Sequence, residues 1–150
     1  IAGAEETGLI QVIAEWVKDL SRGNLTAAII LVLWVSAIAS AFIDNIPYVA
    51  TMNPLIVDMA KQLWPNLHGI ALLHHPDLMP MWWSLALGAC LGGNGTAIGA
   101  SANVIVVGMA EKMGRPISFR KFMYYGMPLM IESVLISMVY VWLRYYVFKV

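Results

Sequence analysis

Charge is scarce in this chain of 150 residues: 12% of them are charged, 60% are hydrophobic, and the mean hydropathy is +0.73. A water-soluble domain carries about 25% charged residues, so water is the wrong solvent for most of this exterior. No sign of charge is in excess either. Lysine plus arginine and aspartate plus glutamate each number 9, which leaves no basic field for a phosphate backbone and sets nucleic-acid binding aside. The single cysteine, Cys90, lies in an apolar run without a CxxC partner; it reads as a small packing residue. The chain starts at Ile1 with no basic stretch before an apolar core, so no signal peptide is expected and the chain reads as an internal piece of a longer protein.

Enzyme signatures are missing too. The glycine-rich run Gly92-Gly93-Asn94-Gly95-Thr96 lacks the Gly-Lys-Ser/Thr of a phosphate-binding loop, and Ile98 stands where a dinucleotide fingerprint needs its last glycine. Neither HExxH nor GxSxG occurs, so an intramembrane hydrolase has no nucleophile or metal set to work with and an enzyme is not expected. His74-His75-Pro76-Asp77 has metal-ligand residue types, but the rest of a site is not evident and the segment reads as a solvated loop.

What the chain does have is long apolar runs interrupted by polar ones. Over 5–20, Leu9, Val12, Ile13, Trp16, Val17 and Leu20 recur at helical spacing with charges opposite, which predicts an amphipathic helix at the membrane interface. Asn24 can cap the run that follows. Leu25 to Ile43 carries no charge and would reach roughly 28 Å as a helix. It stops at Asp44-Asn45-Ile46-Pro47, and Tyr48 to Ala60 is a second leg too short to span. Residues 25–60 are therefore expected to form a re-entrant helical hairpin with a polar tip. Lys61 to Pro80 reads as an extramembrane loop, and 81–110 as a transmembrane helix broken at the glycine run. Residues 122–148 are expected to form the closing transmembrane helix, with a spanning stretch from Met127 to Tyr146 that Glu132 interrupts about six residues in, close enough to the inner interface to reach water, and that Trp142, Tyr145 and Tyr146 edge. The 111–121 loop holds Lys112, Arg115, Arg120 and Lys121, so it is placed on the cytoplasmic side.

Two segments put polar groups at bilayer depth, Asp44-Asn45 with Thr51 and Asn53, and Asn94-Gly95-Thr96 with Ser101 and Asn103. Unwound backbone there costs several kcal/mol per unsatisfied group unless protein or a watery cavity satisfies it. Facing breaks of this kind are how transporters build midplane ion sites. Asp44 is the sharpest signal, because an ionisable group near the bilayer centre costs about 2.5 to 3.5 kcal/mol on insertion scales; its plain alternative is a helix cap. A cation site would draw on Asp44, Asn45, Asn94, Thr96 and Thr51, all hard oxygen ligands suited to sodium, and a proton could use the same carboxylate. Gly88/Gly92 and Gly95/Gly99 have the small-xxx-small spacing that lets helices approach closely.

At Phe42-Ile43-Asp44-Asn45-Ile46-Pro47-Tyr48-Val49-Ala50-Thr51-Met52 and Leu91-Gly92-Gly93-Asn94-Gly95-Thr96-Ala97-Ile98-Gly99-Ala100-Ser101-Ala102-Asn103-Val104 the chain resembles the ion transporter superfamily. Within it are the citrate transporter-like proteins, arsenite permeases, NhaD-type sodium/proton antiporters and the melanosomal P protein with its bacterial relatives, and both motifs strongly resemble those of the last group. The resemblance implies an all-α membrane protein of two inverted repeats, with 1–150 as the second repeat. It implies a transport site lined by Asp44, Asn45, Asn94, Gly95 and Thr96, with Ser101 and Asn103 on the following half-helix. The implied partners are an inorganic ion or small anion, the lipid bilayer, the N-terminal repeat and a second copy in a homodimer, in a bacterial inner membrane. Sodium or a proton is the implied coupling ion, with no other cofactor. Dicarboxylate carriers of the group have Ser-Asn-Thr at the hairpin tip, and the acidic Asp44 here tilts the expectation toward cation or proton coupling.

Overall fold

The computed structural model describes residues 24–148, all helices and connecting turns with no strand among them. The amphipathic helix expected over 5–20 lies outside the described residues. The elements are α1 (Leu25–Ser40), α2 (Asn45–Leu63), a single turn α3 (Ile70–Leu73), α4 (Met79–Gly92), a 3-10 turn (Gly93–Gly95), α5 (Ser101–Lys112) and α6 (Phe119–Trp142), which runs on into a π turn at Leu143–Val147.

Local chemistry sets the boundaries. Asn24 caps α1, its Oδ1 accepting from the amides of Thr26 at 3.0 Å and Ala27 at 3.3 Å. Asp44 caps α2 through Ile46 N–H at 3.2 Å. Pro47, expected to end the first leg, sits in the first turn of the second, where its missing N–H would have had no intrahelical partner. The second leg is therefore longer than the expected Tyr48 to Ala60, with 19 residues and the exposed pair Lys61–Asp58 at 3.0 Å near its end. At 1.5 Å per residue, α1 and α2 reach about 24 and 28 Å, each short of a hydrocarbon core of about 30 Å. Among the described residues, the helix long and apolar enough to cross a membrane is Phe119–Val147, with 29 residues.

α4 is the spine of the fold. It packs most extensively on α1 and also meets α2 and α6. The α1–α4 seam is built from small residues on both sides. Gly88 and Gly92 leave no room for a Cβ, which would run into the backbone of Leu33 and, at 2.6 Å, the Ala37 Cα. Facing them, Ser36, Ala37 and Ser40 are buried, and Ser40 donates its hydroxyl hydrogen to the Ala89 carbonyl at 2.5 Å. Close backbone approach without bulky side chains is the packing mode available where lipid removes the hydrophobic drive. The two legs of the hairpin fold back on each other, with Tyr48 Oη donating to Ser36 Oγ at 3.2 Å. Tyr48, Met52, Ile56 and Ala60 of α2 join Ala28, Ile29 and Val32 of α1 and Met81, Leu85 and Ala89 of α4 in one apolar cluster.

α5 differs from the rest. None of its residues is buried, and it exposes Val104, Ile105, Val106 and Met109. In the loop before α4, His75 stacks on Trp64 with centroids 4.2 Å apart and accepts the Asp77 amide hydrogen at 3.3 Å, a turn held by local contacts. Glu132 stands farther into the apolar span than expected, because that span begins at Phe119 rather than at Met127, and the side chain is exposed near the middle of Phe119–Val147.

Candidate functional site where the hairpin tip meets the helix break

The turn between α1 and α2 and the interruption between α4 and α5 are in contact. Thr96, fully buried, donates its hydroxyl hydrogen to the Ala41 carbonyl at the tip. Gly99 is pressed into the same place, and a Cβ on it would lie 2.7 Å from the Gly93 oxygen, 2.8 Å from that of Ala41 and 3.0 Å from that of Ser40. Asn103 reaches back from α5 and donates through Nδ2 to the carbonyls of Gly93 at 2.8 Å and Thr96 at 3.0 Å. The oxygens freed by breaking the helix are thus satisfied by a side chain of the next one, which is the condition for irregular backbone at membrane depth.

Above this packed seam lies the charged element. Ser101, the first residue of α5, donates its hydroxyl hydrogen to Asp44 Oδ2 at 2.7 Å, while Asp44 Oδ1 accepts from the Ile46 amide. The half-buried carboxylate therefore caps one half-helix and is tied to the start of another. Each of its oxygens takes one bond here, and an ionised carboxylate offers about four acceptor positions in all, so capacity for a cation remains. The side chain of the neighbouring Asn45 is half-buried and makes no hydrogen bond among the described residues.

The other expected site residues fall into different roles. Thr51 turns to its own helix, donating to the Pro47 carbonyl at 2.7 Å. Thr96 spends its hydroxyl hydrogen on the hairpin. Gly95 is buried against Ala41 and the methionine side chains Met127 and Met130. Asn94 is exposed and lines a cavity with α6 residues including Lys121, Phe122 and Tyr125, and among the described residues none of them hydrogen-bonds to Asp44 or Ser101. The break rests on α6 at Gly126, where a Cβ would come within 2.6 Å of the Asn94 carbonyl oxygen. Sequence reasoning passed over Gly126, Ser36 and Ser40; for the two serines the available signal was an i, i+4 pair on α1 matching Gly88/Gly92 on α4.

With helix-capped carboxylate, broken helix and small-residue seam in place, comparison with known proteins identifies the class. Residues 1–88 match the citrate transporter family, and the chain belongs to it. A Mycobacterium tuberculosis protein named an uncharacterized transporter is 43% identical over 143 residues, covering 95% of this chain and 31% of its own length. The P protein of Sus scrofa is 50% identical over 117 residues, 78% of this chain and 13% of the relative, and that of Homo sapiens is 46% identical over 121 residues. The chain thus spans less than a third of the length of the curated relatives it matches. No solved structure matches it.

Proposed function

We propose that this chain is the second repeat of a secondary active transporter that works by alternating access, exchanging sodium for protons or coupling one of them to an anion. The observation that supports the reading best is the Asp44–Ser101 bond of 2.7 Å. It puts a carboxylate with spare acceptor capacity at the junction of two half-helices, in a segment too apolar to hold a charge without a use for it. Asp44 binds and releases the coupling cation. Asn45 and the Ser101 oxygen stand closest to complete its shell, while Thr96, Asn103 and the glycines hold the break in shape. Asn94 and Thr51 serve the pathway from positions away from the carboxylate.

In this reading residues 25–60 re-enter the membrane, since each leg falls short of a full span, and the basic 111–121 loop faces the cytoplasm. The exposed apolar residues of α5 pack on the N-terminal repeat, which supplies the other half of the site, and the assembly is a homodimer in the bacterial inner membrane. Flux in proteoliposomes holding the full-length protein tests it, with sodium, proton and candidate anion gradients imposed one at a time. The reading expects uphill movement driven by a sodium or proton gradient. Flux that only ever follows its own electrochemical gradient would assign the fold to an uncoupled anion pathway instead.

A further inference from the structure

The helix that leaves the hairpin tip and the helix that leads to the break are joined a second time at their far ends. From the Asp44 cap α2 runs about 28 Å, and α4 runs about 21 Å to the break, at 1.5 Å per residue. Trp64 closes the far end of α2. The His75 ring stacks on it with centroids 4.2 Å apart and planes tilted by 30°. The backbone of His75 in turn starts α4, its carbonyl accepting from the amides of Leu78 at 2.9 Å and Met79 at 3.3 Å. One residue thus touches both helices.

Its imidazole has two competing partners in Asp77. The Asp77 amide donates to Nδ1 at 3.3 Å, which requires Nδ1 to be bare and places the proton of the neutral ring on Nε2. The Asp77 carboxylate lies 3.8 Å from the same nitrogen, beyond hydrogen-bond reach. A proton on Nδ1 reverses the order, because the ring then expels the amide and offers the carboxylate a charged donor. Asp77 is exposed, so its freed amide turns to water, and the His75 side chain is 23% exposed, which leaves protons a route to it. A charged ring also holds the face of Trp64 more strongly than a neutral one. The other titratable groups around the connection are engaged or turned to solvent. Asp58 and Lys61 pair with each other at 3.0 Å, and His68 and His74 are exposed. The end of α6 carries Tyr145, Tyr146 and Arg144, the last bonded to Tyr140 at 2.6 Å. α1 and α3 have no such group, and α4 has only Cys90, near the break.

We propose that His75 is a proton-operated clasp between α2 and α4: on protonation it passes from the Asp77 amide to the Asp77 carboxylate and grips Trp64 as a cation. Acidity on the face that carries the 61–80 loop is thereby felt by the helices that hold the tip and the break. Its purpose rests on the transporter reading, and its test does not.

Two measurements on the full-length protein in detergent decide it, both between pH 8 and pH 5, where histidine changes charge. The first is the emission of Trp64, taken as the difference between the natural protein and Trp64→Phe. An imidazolium in contact with an indole quenches it, so the difference should shrink on acidification, less so in Asp77→Asn, and not at all in His75→Asn. The second is hydrogen exchange at the Asp77 amide, corrected for the intrinsic rate. It should be protected at pH 8 and lose that protection at pH 5 in the natural protein, whereas in His75→Asn, whose Oδ1 stands where Nδ1 stood, it should stay protected at both. Trp64 emission indifferent to pH would overturn the proposal, as would a response unchanged in His75→Asn or Asp77→Asn. So would an Asp77 amide equally protected at both pH values in the natural protein, a result that needs no variant to fold. Because neither readout requires flux, failure of gradient-driven transport and failure of the clasp are separate results.

Discussion

Gly99 and Gly95 flank the same break, yet substitution should separate them sharply. A Cβ at Gly99 would lie 2.7, 2.8 and 3.0 Å from three backbone oxygens, those of Gly93, Ala41 and Ser40, whereas at Gly95 it would meet Met127 Sδ at 3.0 Å, Ala41 Cβ at 3.3 Å and Met130 Cε at 3.4 Å. Neither glycine has a positive φ, so alanine is admissible at both and only space differs. Methionine ends can swing aside at little cost. Carbonyls fixed in helix ends cannot, so Gly99→Ala must push the hairpin tip away from the break. Overpacking of this kind costs about 1 to 3 kcal/mol, and losing the buried Thr96–Ala41 bond adds about 1 kcal/mol. The expected destabilisation is therefore about 2 to 4 kcal/mol for Gly99→Ala and below about 1 kcal/mol for Gly95→Ala. Melting of the detergent-solubilised full-length protein, followed by tryptophan fluorescence or size-exclusion, should show a drop of several degrees for the first variant and a small one for the second. Equal melting temperatures, or the reverse order, would refute the docking of break on tip.

Other outcomes follow from the same contacts. Thr96→Val leaves the buried Ala41 carbonyl without its donor and should cost about 1 to 3 kcal/mol, while Thr96→Ser should recover most of it in the same melting assay. Gly88→Ala should disrupt the α1–α4 seam and lower the yield of folded protein by size-exclusion, because the backbone of Leu33 blocks the new methyl. Tyr48→Phe removes one buried hydroxyl bond to Ser36 and should cost only about 1 kcal/mol.

Much of this arrangement was legible in the residues. Low charge and long apolar runs specify helices in an apolar solvent, and Asp44 and the Gly93–Gly95 run mark the interruptions. Asn24 and Asp44 are capping residues by type and do cap. What could not be read depends on how helices lie against one another. Pro47 signals an end by local rules, but the first turn of a helix tolerates it, so it belongs to the start of the second leg while the first has already ended at Ser40. Asn94 was grouped with Asp44 because both are polar and at similar depth; the contact of Gly126 with the Asn94 backbone determines that it lines the α6 cavity instead. Glu132 was placed near the interface because the apolar stretch starts near Met127, whereas the helix starts two turns earlier at Phe119.

The central claim is that the Asp44 carboxylate, held between two half-helices, carries the coupling cation. Its most direct measurement compares Asp44→Asn and Asp44→Glu with the natural full-length protein for sodium- or proton-driven flux in proteoliposomes at matched reconstitution. Asparagine keeps the shape and the acceptor for the Ile46 amide, and its Nδ2 donates to the Ser101 hydroxyl oxygen where Oδ2 had accepted from it, but the charge is gone. The account predicts normal folding with coupled flux abolished in Asp44→Asn and partly retained in Asp44→Glu. Undiminished gradient-driven flux in Asp44→Asn would contradict it.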